Sequence, residues 1–179
     1  MPKSQNINPK VVRKPQFIEF GKIPVNQYNK SITDEKKNFS REDLLRIYRD
    51  MVIIREFETM LNLIKTTNEY NGIAYNHPGP AHLSIGQEAS AVGMAYNLGI
   101  DDYIFGSHRS HGEILAKGLS AINKLDEDKL YSIMSNYFGG GALKVVEKGF
   151  QVNIKDLAIH FLLYGALAEI FARENGFNK

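Results

Sequence analysis

Two short segments carry residue types that could bind an anionic ligand and move protons. The first is HLSIGQEA, residues 82–89, in which His82 follows a Pro-Gly-Pro loop and precedes a run of small residues. The second is GSHRSHG, residues 106–112, in which Arg109 stands between His108 and His111. Arginine offers a permanently charged planar fork suited to phosphate, and histidine exchanges protons near neutral pH. Together the segments indicate an anion site that includes histidines.

The second segment has the position of a diphosphate cradle, because it leads from a candidate strand at residues 103–105 into a helix predicted to start near Ser110. A helix N-terminus presents free N–H groups and a positive dipole end to anions. The alternatives are an Arg109 paired with a carboxylate, two surface histidines, and a His82 bonded to a backbone carbonyl. The residues alone leave these alternatives open.

The spacing of the histidines does not favour a metal site. His77 and His82 are five residues apart, His108 and His111 are three apart, and the chain has no cysteine. Zinc sites need three or four ligands, and the helical His pair of metalloproteases has i, i+4 spacing with a glutamate between. We therefore predict no metal ligand in this chain.

The bulk composition is that of one globular domain, with 179 residues, 43% hydrophobic and 23% charged. The absence of cysteine excludes a disulfide framework. No apolar run is long enough for a membrane span, and residues 1–17 lack the apolar core of a signal peptide. We therefore predict a cytoplasmic protein with no membrane span.

The N-terminal arm, residues 1–39, is basic. Residues 1–37 contain eight Lys or Arg against three acids. A solvated leader is the expectation for such a terminus. The alternative, a nucleic-acid arm, lacks the dense cluster of five to eight basic residues that it would require, so no nucleic-acid binding is predicted.

A long amphipathic helix and a long loop precede the two segments. Ser40 and Asp43 form a Ser-x-x-Asp capping box, and apolar residues at steps of three and four continue to Ile64. Residues 66–81 contain Asn-Gly, Pro-Gly and a second proline, which predicts a loop without regular elements.

Further helices are predicted around and after the segments. The first runs from about Ile85 to Asn97 and its small residues indicate burial; the next runs from Ser110 to Lys117 and is closed by Gly118. After these we expect a short helix at 126–138, a glycine-rich break at 139–150, and a helix at 156–175 that is apolar almost all round and needs burial on all sides.

Four segments resemble, in the same order, the alpha chain of the thiamine diphosphate-dependent first component of 2-oxo acid dehydrogenase complexes. That family includes the pyruvate, branched-chain 2-oxo acid and acetoin dehydrogenases. The segments lie between about residues 46 and 119 and read YRDMVIIREFETML, HLSIGQEASAVG, DDYIFGSHRSHG and LAKGL. Any one of them alone would be a weak signal, but four in order are specific.

The resemblance implies roles for individual residues. His82 resembles the family histidine that faces the cofactor's thiazolium and exchanges protons. His108 and Arg109 match the pair that contacts the cofactor diphosphate. His111 matches a histidine near the active-site loops, so His82 and His111 are the expected catalytic residues. The GQEA stretch resembles helix packing beside the site.

The resemblance also implies an incomplete α/β thiamine diphosphate-binding fold, of which this chain is mostly α-helical with at most one or two short strands. We divide it into the arm 1–39, the N-terminal part of the cofactor-binding domain 40–119, and a helical insertion 120–179. The Gly-Asp-Gly…Asn motif that holds magnesium and the diphosphate is absent. The chain therefore resembles the N-terminal fragment of a longer protein, with magnesium bound outside it.

The activity implied is oxidative decarboxylation of a 2-oxo acid with transfer of the acyl group to a lipoyl group. The expected partners are a beta chain or beta half, in a heterotetramer of a multienzyme complex, and a lipoyl-bearing acyltransferase; this chain alone should be inactive. Two alternatives stay open: a thiamine diphosphate-dependent relative that transfers acyl or ketol groups, and a non-enzymatic helical interaction module.

Overall fold

The computed structural model describes residues 8–10, 13–15, 17, 27–76, 79 and 82–177. The chain divides into two compact units, Met1–Phe39 and Ser40–Lys179. In the first unit, helix α1 spans Ile32–Glu35 and begins with a Ser31–Asp34 capping box. His77, one of the histidines considered for a metal, lies outside the described residues.

Helix α2, Arg41–Thr67, opens the second unit and confirms the predicted long helix. The Ser40 hydroxyl accepts from the Asp43 N–H at 3.0 Å, and the Asp43 carboxylate accepts from the Ser40 N–H at 3.1 Å. This capping box satisfies backbone groups that the first helical turn would otherwise leave unpaired. The buried face of α2 carries four apolar residues and two acids: Asp50, Ile54, Phe57, Glu58, Leu61 and Ile64.

The prediction that residues 66–81 contain no regular element is wrong. Strands β1, Glu69–Tyr70, and β2, Ile73–Ala74, form an antiparallel pair directly after α2. Asn71 and Gly72 connect them with φ values of 49° and 77°. Positive φ at both central residues suits a tight hairpin turn, so this Asn-Gly pair favours strands on either side.

Helix α3, Glu88–Asn97, and helix α4, His111–Lys124, follow the two segments of the predicted site. Helix α3 starts three residues later than predicted, because residues 84–87 form a turn in which the Gln87 N–H donates to the Ser84 carbonyl. Only one face of α3 is buried. Residues 103–105 form no strand, and no described strand lies beside them to pair with.

Gly118 does not close α4, as was predicted, but lies inside it. A Cβ atom at this position would lie 2.6 Å from Leu162 Cδ2. The glycine therefore permits close approach of Leu162, and α4 continues past it to Lys124.

The last third of the second unit is helical. Helix α5 spans Glu127–Asn136, a 3₁₀ turn spans Tyr137–Gly140, helix α6 spans Gly141–Gly149, and helix α7 spans Ile154–Ile170. The prediction of a glycine-rich break at 139–150 is therefore wrong for the residues of α6. This helix buries Ala142, Leu143 and Val146 on one face. Helix α7 ends five residues before the predicted stop.

The core lies where α7 packs against α4, α5 and α6, and where α4 packs against α2 and α3. Every residue of α7 is buried or half-buried, which confirms the expectation that this helix needs burial. The prediction of a mostly helical chain with at most two short strands is also confirmed for the described residues. None of the described helices is both long and apolar enough to cross a membrane.

Candidate functional site

The structure brings the two predicted segments together. His82 lies just before α3, and His108 and Arg109 lie in the turn that leads into α4. The rings of His82 and His108 meet edge to face, with their centroids 5.2 Å apart and an interplanar angle of 82°. His82, His108 and Arg109 are all exposed, so each can reach a ligand from solvent.

Ser84 connects the two segments. Its hydroxyl donates to the backbone carbonyl of Arg109, which ties the residues after His82 to the turn before α4. Ser84 itself is buried, with 2% of its surface exposed. A buried side-chain-to-backbone hydrogen bond of this kind fixes the separation of two loops that no shared helix or strand holds together.

The tight turn before α4 requires Gly106. A Cβ atom at this position would lie 2.5 Å from Ser110 Cβ and 2.5 Å from Glu113 Oε2, so any larger residue would open the turn. Within the turn, the Arg109 N–H donates to Ser107 Oγ at 3.2 Å. The first glycine of GSHRSHG is therefore structural, and it positions the arginine.

The Arg109 guanidinium is exposed and forms no hydrogen bond or ion pair with any residue that the structure describes. The Ser110 side chain at the start of α4 forms no capping hydrogen bond. An unpaired cation thus lies beside an uncapped helix N-terminus, and both features favour an anion. A diphosphate group fits this set of donors.

Two of the three alternatives find no support in the described part of the chain, whereas an exposed His108 and a hydrogen-bonded His111 are compatible with the third, two surface histidines. Arg109 has no carboxylate partner there, and the ring of His82 forms no hydrogen bond with a backbone carbonyl or any other described group. His111 differs from these residues, because its side chain is only 18% exposed and its Nδ1 lies 3.1 Å from Glu58 Oε1. Of the four predicted residues, three are thus exposed to solvent and one is held by a buried acid.

Sequence reasoning missed Glu58, which is fully buried on α2. Its Oε2 accepts from the Ser84 N–H at 2.9 Å, while its Oε1 faces His111. The signal in the sequence was an acid on the apolar face of an amphipathic helix. Buried acids are rare unless they have a partner, so such a position marks a contact with a distant part of the chain.

Sequence reasoning also missed the partner of the GQEA stretch. Arg55 on α2 donates to both carboxylate oxygens of Glu88, with Nε–Oε1 at 2.6 Å and Nη2–Oε2 at 2.9 Å. The Gly86 N–H adds a third hydrogen bond at 3.0 Å. The Arg55 guanidinium, as the main cause, and the Gly86 N–H lower the pKa of Glu88 from 4.5 to about 2. The pair fixes the start of α3 against α2.

This ion pair makes the stability of the fold depend on pH. Because the pKa of Glu88 is lower in the folded chain than in the unfolded chain, its contribution is complete above about pH 4.5 and is lost as the pH falls towards 2. Water screens the half-exposed Arg55, which makes the contribution smaller than that of a fully buried pair. Urea unfolding at pH 7 and pH 3 should show a larger loss of stability for the native chain than for Glu88→Gln, and equal losses would contradict this role.

Among the described residues, no group of three or more His, Asp or Glu is arranged to hold a metal ion. The candidate site groups an arginine, three histidines and a helix start.

Comparison with known protein families identifies the family of this chain. The chain belongs to the dehydrogenase E1 component family, whose model matches residues 50–153. The match includes α2 from Asp50 onward and both segments of the site. The matched region extends past residue 119 into the segment 120–179. That this segment is an inserted helical region stays a prediction.

Several curated proteins are similar to this chain. The alpha subunit of acetoin:2,6-dichlorophenolindophenol oxidoreductase from Cupriavidus necator is 31% identical over 118 residues, which are 66% of this chain and 31% of that protein. The pyruvate dehydrogenase E1 component subunit alpha from Rhizobium meliloti is 41% identical over 83 residues, 46% of this chain and 22% of that protein. The mitochondrial pyruvate dehydrogenase E1 component subunit alpha from Saccharomyces cerevisiae is 31% identical over 133 residues, which are 74% of this chain and 30% of that protein.

The aligned part of the chain spans less than a third of the length of each of these three relatives. No solved structure matches the chain significantly.

Proposed function

We propose that the chain is the alpha part of a thiamine diphosphate-dependent 2-oxo acid dehydrogenase. The enzyme would decarboxylate a 2-oxo acid oxidatively and transfer the acyl group to a lipoyl group. Membership of the dehydrogenase E1 component family supports the class of enzyme. The observation that carries the proposal is the exposed Arg109 at the uncapped start of α4, beside His82 and His108 and without a partner among the described residues.

In this proposal Arg109 and His108 bind the diphosphate of the cofactor. The guanidinium supplies paired N–H donors and a full positive charge, and charge-assisted hydrogen bonds of this type are the strong ones. The N-terminal end of α4 adds its dipole. Thiamine diphosphate, when bound, supplies the electron sink for decarboxylation.

His82 and His111 are the proposed proton-transfer residues. His82 is exposed and its ring contacts that of His108, so a ligand held by His108 and Arg109 lies within its reach. His111 is the first residue of α4 and has one ring nitrogen occupied by Glu58. General acid–base catalysis by a positioned histidine contributes roughly 10²–10⁴-fold to a reaction rate.

The proposal includes partners outside this chain. A beta chain or beta half would complete the active site, magnesium would bind through residues that this chain lacks, and a lipoyl-bearing acyltransferase would receive the acyl group. We place the enzyme in the cytoplasm, as a heterotetramer within a multienzyme complex. The region 40–119 would form the N-terminal part of the cofactor-binding domain.

Reconstitution of the complete alpha and beta polypeptides with magnesium tests the proposal. We expect thiamine diphosphate to bind and a 2-oxo acid to release carbon dioxide, with a lipoyl domain becoming acylated. Thiamine monophosphate is the matched control, because it lacks one phosphate of the diphosphate that Arg109 and His108 would bind. The 179-residue chain alone should not turn over.

The other outcomes decide between the alternatives. Carbon–carbon bond formation between two carbonyl substrates, without acylation of the lipoyl domain, would favour the relative that transfers acyl or ketol groups. No binding of thiamine diphosphate by the reconstituted assembly would overturn the proposal and favour a non-enzymatic helical interaction module.

A further inference from the structure

Glu58 is the most completely buried ionisable side chain among the described residues, with no exposed surface. Moving a carboxylate out of water is costly unless hydrogen bonds replace its hydration. Its two oxygens serve two different parts of the chain: Oε1 lies 3.1 Å from His111 Nδ1, and Oε2 accepts from the Ser84 N–H at 2.9 Å. Glu58, which belongs to α2, thus contacts both the His82 segment and the start of α4.

The contact with Glu58 bears on the tautomer of His111, because the two ring nitrogens have different hydrogen-bonding roles. Towards an ionised carboxylate, which only accepts hydrogen bonds, the Nδ1 atom that faces Oε1 carries the hydrogen. In a neutral imidazole the other nitrogen, Nε2, is then an acceptor. Within the described part of the chain, Nε2 of His111 has no hydrogen-bond partner. It is therefore the ring atom left to receive a proton from a ligand.

The contact with Ser84 extends the network to the arginine. The Ser84 N–H donates to Glu58, and the Ser84 hydroxyl donates to the backbone carbonyl of Arg109. A continuous path of hydrogen bonds therefore runs from α2 through the segment that carries His82 to the turn that carries Arg109. The buried acid is the point where this path meets His111.

From this geometry we propose that Glu58 is a positioning residue of the site, in addition to the four residues predicted from the sequence. It holds His111 as the Nδ1–H tautomer and sets the His82 segment against the Arg109 turn. Its importance for turnover rests on the proposed function, whereas the tautomer of His111 is a property of the chain itself.

Nitrogen-15 NMR of the histidine rings in the 179-residue chain tests the tautomer without any cofactor, with His111 assigned through His111→Gln. In the neutral ring we expect a protonated Nδ1 and an unprotonated Nε2. In Glu58→Gln the amide oxygen is retained by the buried Ser84 N–H, so the amide NH₂ faces Nδ1 and the ring should change to the Nε2–H tautomer. A native ring already protonated at Nε2, or a tautomer unchanged in Glu58→Gln, would overturn the inference.

Ser84→Ala is the matched control, because it removes the hydroxyl but keeps the backbone N–H that donates to Glu58. We expect its His111 tautomer to remain that of the native chain, and a change would contradict the separate roles of the two contacts. The measurement on the native chain decides the tautomer even where a variant does not fold.

In the reconstituted enzyme, Glu58→Gln should lower kcat by about 10–100-fold with little change in KM for the 2-oxo acid, by analogy with the loss of a carboxylate that orients a metal-ligating histidine. The pH dependence of kcat should change as well. A native kcat and pH profile in a variant with the altered tautomer would show that Glu58 serves folding alone. If the native assembly is inactive but His111 has the expected tautomer, the proposed function is contradicted and the inference about the tautomer of His111 still holds.

Discussion

Replacing Arg109 with alanine should weaken the binding of thiamine diphosphate by the reconstituted enzyme about 10–100-fold. The guanidinium is exposed and unpaired in the described part of the chain, so its positive charge is available to a phosphate. A hydrogen bond to a charged group contributes roughly 1.5–3 kcal/mol, which corresponds to this range of affinity. Titration calorimetry in the presence of magnesium measures the change directly.

Arg41→Ala is the control for loss of charge alone, because Arg41 is also exposed and begins a different helix, α2. Its effect on affinity should be small. Arg109→Lys should lie between the native enzyme and Arg109→Ala, since lysine keeps the charge but loses the planar fork. The unfolding free energy of Arg109→Ala should change by less than about 0.5 kcal/mol, because no described contact of the guanidinium is lost. Cofactor affinity that remains native in Arg109→Ala would remove the residue from the site.

The signals that pointed to the predicted site residues in the sequence are local. Residue type and spacing indicated an anion site at Arg109 with histidines, and the resemblance to a family implied their individual roles. The helix predicted to begin near Ser110 gave the arginine its position at a helix start. The contacts that fix these residues in space are not local. Glu58 reaches Ser84 and His111 across 26 and 53 positions of the chain, and no pattern of spacing shows which distant partners a buried acid will find.

The distinction between local signals and distant contacts also explains which parts of the fold were predicted correctly. Capping boxes and apolar periodicity are properties of neighbouring residues, and they predicted α2 correctly. Gly118 was wrongly predicted to end a helix. A glycine is needed there because a side chain would clash with Leu162, and the sequence does not show that contact. The Asn71-Gly72 pair was misread for a different reason: its local preference is for a tight turn between strands, and the flanking strands are only two residues long.

Replacing His82 with alanine should reduce kcat by about 10²–10⁴-fold while cofactor affinity stays within about twofold of the native value. The size of the loss is that expected for a general acid–base residue. Affinity should be spared because His82 belongs to the segment before α3, whereas the proposed diphosphate ligands belong to the turn before α4. Steady-state turnover and calorimetric titration of the same reconstituted preparation separate the two quantities.

His108→Ala is the matched control for this prediction, since the ring centroids of the two histidines are only 5.2 Å apart. If His108 binds the diphosphate and His82 moves protons, the two variants should show opposite patterns. His108→Ala should lose cofactor affinity and recover most of its turnover at saturating cofactor, whereas added cofactor should not rescue His82→Ala. Equal rescue of both variants would mean that the two rings share one binding role, and full activity in His82→Ala would remove that residue from the mechanism.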